Sequence, residues 1–257
     1  MAEIELIVQA DDLGMCHAVN EGIVRAFNEG IVTQAAIMAP CPWFDEAVAL
    51  AHQHAIPIGL HCTLTCEWDH FRWRPLTEGP SLVGEDGTMY RAVQDAMSRI
   101  DAEEAFIEVR AQAARVAAAG IRLICCDNHM GSICPEAFER LCEEVDVPFL
   151  YPQVEPHIEF TSLAMLSPFE GDGTGPYKKT WLLNYIAALT PGRHYLCTHP
   201  AVAGDELASI AGTDAKNVDW AERFRKSDLE ALTDPAVRDA IDTRGIALVS
   251  VDQLDEI

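Results

Sequence analysis

Short apolar runs recur along this chain with helix-period segments between them, and few of the runs alternate apolar with polar residues. Such runs suit strands covered on both faces, as in a parallel sheet flanked by helices. Strands are expected at IELIVQA (4–10), IVTQAAIM (31–38), IPIGLHC (56–62), IRLICC (121–126), VPFLY (147–151), HYLCT (194–198) and IALVSV (246–251), with a further one at HIEF (157–160). Helices are expected over 17–29, 43–54 and 180–189, from Asp101, from Pro135 to about Val145, from Asp219 and from Asp234-Pro235. Asp101 with Glu104 three positions on is a capping-box pattern, and Gly120 and Gly245 suit helix ends. The fold class is α/β: seven or eight mainly parallel strands in a single domain over 1–257 indicate a distorted (β/α) barrel, with a doubly wound open sheet as the alternative. No GxGxxG follows the first strand, which weakens a dinucleotide-binding version of that sheet. Excursions at about 63–100 and 200–218 interrupt the rhythm, and FEGDGTGPY (168–176) reads as a loop whose glycines, 171, 173 and 175, allow a mobile lid or an ordinary connection.

Eighteen Lys and Arg against 41 Asp and Glu give a net charge of −23, which argues against nucleic acid or an anionic membrane as partner. No apolar run reaches the ~18 residues of a spanning helix. The start, MAEIELIVQADD, has no basic segment and no small-residue cleavage site, so no signal peptide is expected. Nine Cys with no CxxC pair read as buried free thiols in a reducing cytoplasm, and zinc ligation by Cys62 and Cys66 is disfavoured.

The polar residues matter by where they fall. The first strand ends in Asp11-Asp12, the third in His61, the fourth runs into Asp127-Asn128-His129, and HYLCT runs into His199. In parallel strands these ends share one face, where barrels build active sites. A strand-end Asp commonly caps a helix and a lone His is commonly structural, but two Asp and three His at one rim point to a joint site. Consecutive Asp11 and Asp12 point to opposite sides of a regular strand, so both reach the site only if the strand begins to turn. Asp127 and His129, two apart, share a face.

One carboxylate with two imidazoles makes an open three-ligand site that zinc accepts and that iron(II) or manganese also suits. A bound divalent ion activates water and polarises a carbonyl; a second carboxylate then serves as base and a further imidazole as acid. The rim supplies all five groups, with Asp127 to spare. GxSxG, P-loop and HExxH patterns are absent, and no Cys is placed as a nucleophile.

ADDLG at 10–14, Asn20-Glu21-Gly22-Ile23, GLHCTLT at 59–65, Asp127-Asn128-His129, THP at 198–200 and Arg225 with Asp228-Leu229 resemble, in order, the motifs of the YdjC-like carbohydrate deacetylases. The resemblance implies a distorted (β/α) barrel that removes an N-acetyl group from an amino sugar or short glycan and releases acetate. It implies Asp12, His61 and His129 as metal ligands, Asp11 as general base and His199 as general acid. One divalent ion is expected, zinc or magnesium. The expected partner is a small acetylated carbohydrate, and the resemblance implies a homodimer. Leu13, Asn128, Gly131 and Ala201 depart from the family pattern at positions that shape the pocket.

Asp127 and Arg225 are expected beside the ligands or the substrate. Trp68, Phe71 and Trp73 are placed to stack on a sugar ring or to staple their excursion to the barrel, and stapling is expected of at least two. Arg72 and Arg74 meet an anionic group or lie in solvent. His17, His52, His54, His70, His157 and His194 are read as structural or surface residues. A metal-dependent sugar isomerase or lyase, and a non-catalytic carbohydrate-binding relative, are the competing functions; only hydrolysis releases acetate. Asp11 ionised and His199 protonated would give a bell-shaped pH profile.

Overall fold

A computed structural model describes residues 4–131, 133–150, 158–166, 175–212 and 218–254. Most of the 168–176 loop, His157 and residues 213–217 of the second excursion lie outside them. Seven strands form one parallel sheet: β1 (Ile4–Leu13), β2 (Gln34–Ile37), β3 (Ile58–Cys62), β4 (Leu123–Asn128), β5 (Ser162–Met165), β6 (Gly192–Thr198) and β7 (Ala247–Leu248). The order is β4-β3-β2-β1-β6-β5. β7 pairs with the start of β1, below the part that β2 pairs with. β4 and β5 do not pair among the described residues, so the curled sheet is a barrel left open on one side.

Two apolar layers follow from strand alternation. Leu6, Val8 and Ala10 of β1, Leu60 of β3 and Leu196 of β6 face the helices. Ile7, Tyr195 and Cys197 face inward, where Val251 and Leu254 join them. The outer layer is covered by α1 (His17–Glu29), α2 (Phe44–His54), α3 (Val93–Arg99), α4 (Ala102–Ala118), α5 (Pro135–Val145), α6 (Gly175–Ala188), α7 (Asp205–Ile210), α8 (Arg225–Leu232) and α9 (Pro235–Arg244). A π-helical segment, Asp219–Phe224, runs directly into α8. No helix among the described residues is long and apolar enough to cross a membrane.

Several sequence expectations shift. The described part of VPFLY, 147–150, makes only an isolated bridge, Cys126 to Phe149, because Pro148 has no N–H to extend a ladder; Tyr151 lies outside the described residues. At HIEF the described residues do not pair; Ile158 fills the interior, and the strand forms just beyond, from Ser162. IALVSV shortens to two residues because Ser250 and Gln253 form a capping box that starts a 3₁₀ turn. Helix α6 begins earlier than expected, with Pro176 in its first turn, where a missing N–H costs nothing. Asp101 caps α4 as expected, but Glu104 turns away to accept from Ser81 N and Oγ at 2.8 and 2.6 Å.

The 63–100 excursion is stitched down from α4. Buried Glu108 accepts from Leu76 N, Thr77 N and Thr77 Oγ1, and Gln112 bonds both Thr63 N and Thr63 O. Arg72 is used internally, donating to Thr88 Oγ1 and to the carbonyls of Cys66, Trp68 and Met89. All nine cysteines are buried free thiols.

Candidate metal centre and active site

The site begins with an irregularity in β1. Between Ala10 and Leu13 the register against β2 slips by one residue, as in a β-bulge. Asp12 takes φ +72°, a left-handed conformation that Asp tolerates better than most residues. Ala10 and Leu13 both face the helices, so the two acids between them are left to face the interior. This resolves the difficulty that strand alternation raises for Asp11 and Asp12. Asn20 holds the turn from α1, accepting from Gly14 N at 2.7 Å and donating to Glu46 at 2.8 Å.

Asp12, His61 and His129 converge. Asp12 Oδ1 lies 3.4 Å from His61 Nε2 and 3.3 Å from His129 Nδ1, and the two nitrogens are 3.3 Å apart. An ion with tetrahedral bonds of about 2.0–2.1 Å needs donor separations of about 3.3–3.4 Å. Asp12 Oδ1 is buried without a hydrogen-bond partner among the described residues, an orphaned acceptor at this triangle. Its other oxygen accepts from Arg225 Nη2 at 2.6 Å. Burial alone would raise the Asp12 carboxyl, but Arg225 and the two imidazoles hold it well below the usual carboxylate range.

Each imidazole is braced from behind. His61 Nδ1 meets Asp127 Oδ1 at 2.6 Å and His129 Nε2 meets Glu67 Oε2 at 2.9 Å. Such carboxylates fix the ring and the tautomer of a metal-binding histidine. Burial opposes protonation of both rings, yet Asp127 and Asp11 raise His61 well above its ordinary value, and Glu67 with Asp12 pushes His129 up to about 9. Protons on these rings offset an excess of buried carboxylate, which is the charge a divalent cation would neutralise instead. The residues therefore fit such an ion.

On the other flank, Asp11 Oδ1 accepts from Gln9 Nε2 at 2.7 Å, and its Oδ2 accepts from Cys197 Sγ at 3.0 Å. His199 Nε2 stands 3.9 Å from that second oxygen. Burial, then Asp127 and Asp12, push Asp11 up to about 7. Burial, with Arg225, pushes His199 down to about 3, against the pull of Asp12. His199 is held from outside: its backbone N–H donates to Asp228 Oδ2 at 2.9 Å, and Asp228 pairs with buried Lys178. Gly22 of α1 permits this, since a Cβ there would meet Ala201 Cα at 2.4 Å.

Arg225 is fully buried against Trp220 and Trp68, 4.6 and 5.8 Å from their ring centres. Trp68 and Trp73 are buried too, not exposed as stacking platforms. Trp73 donates to Thr65 O and sits 6.1 Å from the His129 ring. The half-buried aromatic at this flank is Trp220, edge-on to His199 at 4.8 Å. Sequence pattern does not single out Glu67, Cys197 or Lys178. It does contain a cue for Gln9 and Gln34, polar residues inside apolar strands: they pair in register, Gln34 Nε2 donating to Gln9 Oε1 at 2.7 Å, while the Gln9 amide bridges Asp11 and Asp127.

A family profile described as YdjC-like protein matches residues 5–243. The chain belongs to the YdjC-like family. It is 31% identical to a carbohydrate deacetylase from Brevibacillus brevis, over 98% of this chain and 100% of that protein. It is 32% identical to one from Geobacillus stearothermophilus, over 95% of each. A solved structure from Enterococcus faecalis V583 superposes with a TM-score of 0.79 at 25% identity, over 98% of both chains.

Proposed function

We propose that this member of the YdjC-like family is a metal-dependent carbohydrate N-deacetylase, hydrolysing the acetamide of an amino sugar or short glycan to acetate and the free amine. The observation that carries it is the buried Asp12–His61–His129 triangle with its orphaned carboxylate oxygen. Two long relatives that are carbohydrate deacetylases support the reaction class. Asp12 Oδ1, His61 Nε2 and His129 Nδ1 would hold the ion. Their separations support zinc over magnesium, since octahedral ligands at about 2.0–2.1 Å stand only about 2.9 Å apart. When bound, the ion supplies Lewis-acid polarisation of the amide carbonyl and an acidified water.

Asp11 accepts the proton of the attacking water; Gln9 and Cys197 hold its two oxygens in place. His199 delivers a proton to the leaving nitrogen. The imidazole is half-buried and, pushed down to about 3, uncharged at neutral pH, not protonated as the sequence reading expects, so the proton it delivers is one it first receives, with Asp11 3.9 Å away as a source. Arg225 keeps Asp12 ionised and aimed. Trp220 supplies an apolar wall beside His199. The free thiols support a reducing compartment, hence the cytoplasm.

Purified protein should contain about one divalent ion per chain and release acetate from N-acetylated mono- or oligosaccharides. A protein that binds no ion at this triangle, or that converts acetylated sugars without releasing acetate, would refute the reading.

A further inference from the structure

Deacetylation uses a carboxylate and an imidazole on the second flank, and the thiol between them serves it only as a hydrogen-bond donor to the carboxylate. β6 runs through Cys197-Thr198 into His199, and its register against β1 pairs Cys197 with Gln9 and Thr198 with Ala10, so Asp11 comes beside His199. Cys197 and His199 lie two apart and share the inward face with Asp11. Cys197 Sγ is 3.0 Å and His199 Nε2 3.9 Å from Asp11 Oδ2, and all three donor atoms lie within 4.8 Å of one another. None of the three belongs to the Asp12–His61–His129 triangle.

We propose that Asp11, Cys197 and His199 form a second, inhibitory site for a thiophilic divalent ion, such as zinc in excess or cadmium. The donor set decides the class: one carboxylate, one thiolate and one imidazole suit zinc and its heavier congener, whereas magnesium and calcium take oxygen ligands. With Zn–O and Zn–S bonds of about 2.0 and 2.3 Å, tetrahedral oxygen and sulfur stand about 3.5 Å apart and oxygen and nitrogen about 3.4 Å. The observed pairs need to move by about half an ångström each, one outward and one inward, within the reach of side-chain rotation. The way in is the imidazole edge, since the His199 side chain is 12% exposed and that of Asp11 2%. Binding forms a metal–sulfur bond and releases the thiol proton to solvent. An ion there occupies both proton carriers, so turnover stops although the catalytic ion stays bound.

The inhibition rests on the hydrolase reading, but the binding does not. Protein loaded with one equivalent of its own ion is titrated with cadmium chloride. Bound metal is counted after desalting, and the ultraviolet thiolate-to-cadmium band is followed in wild type and Cys197→Ala. Wild type should take up one more cadmium per chain than the variant and show a band that the variant lacks. Acetate release by wild type should fall as that ion binds. Each protein compared with its own uninhibited rate, Cys197→Ala should tolerate at least tenfold more zinc, and magnesium in the same excess should inhibit neither. His199→Ala, which keeps the thiol, should weaken the second ion as well and covers the case in which Cys197→Ala does not fold. Equal cadmium uptake with equal absorbance in wild type and Cys197→Ala, or unchanged uptake in His199→Ala, would overturn the second site. Failure of wild type to release acetate before any second ion is added would overturn the hydrolase reading alone.

Discussion

His61 and His199 both end parallel strands at one rim, yet the protein treats them oppositely. His61 lies between Asp127 on one nitrogen and Asp12 on the other, and carboxylates raise it well above an ordinary histidine. His199 is more enclosed than open, at 12% side-chain exposure, and its Nδ1 has no hydrogen-bond partner among the described residues; burial first, then Arg225, His61 and Lys178, push it down to about 3 against the pull of Asp12. One flank is overloaded with anions and suits a cation. The other keeps an imidazole neutral and suits a proton in transit. Burial is common to both, so the sign of the neighbours sets the difference.

The sharpest way to break this contrast is to remove a ligand. Asp12→Asn, His61→Ala or His129→Ala should abolish stoichiometric metal in the purified protein. Losing Lewis-acid stabilisation of several kcal/mol should lower acetate release by about 10³-fold or more. Asp11→Asn acts on the other flank. It should keep the metal by elemental analysis and lower kcat by about 10²–10⁴-fold with KM little changed. If Asp11→Asn lost the metal, the division between flanks would collapse. Asp127→Asn and Glu67→Gln should leave the ligands present but loosely aimed, weakening the ion about 10–100-fold in a chelator competition. Gln9→Met removes the amide that stands between Asp11 and Asp127. With its bonds to carboxylates gone, unfolding free energy in denaturant should drop by about 2 kcal/mol.

The mildest version of the contrast is on the surface, where His17 bonds Glu46 at 2.8 Å. That bond chiefly, then the Glu46 charge, raises His17 above the ordinary histidine value. A raised folded value means stability present below about 6.5 and lost as pH rises through the raised value. The melting temperature of wild type should therefore exceed that of His17→Gln slightly in mild acid, and the gap should close in mild alkali.

The rim was legible because parallel strands deliver their ends together, so Asp12, His61, Asp127, His129 and His199 could be grouped from strand ends alone. Helices α1 and α5 were legible in full because the helical spacing of Ile23 and Phe27 marks the first and Pro135 the start of the second. The strand at 147–151 was not, since apolar content reports burial and not pairing, and Pro148 blocks the ladder. Glu67 was illegible for a different reason: it reaches His129 from an excursion whose path depends on Glu108 and Gln112 of a helix some forty residues downstream. Trp68 and Trp73 carry the same aromatic signal whether they face a sugar or a core, and only packing separates the two.

The slip between Ala10 and Leu13 has one more consequence. A strand in perfect phase offers the barrel lumen one side chain in two, so a metal donor and a proton acceptor on adjacent residues are forbidden to it. By carrying one residue too many, β1 escapes that quota and welds the two functions to a single peptide unit. Their spacing is then set by covalent bonds and is indifferent to breathing of the sheet, whereas the contacts of Asp12 with His61 and His129, and of Asp11 with His199, each span a gap between separate strands.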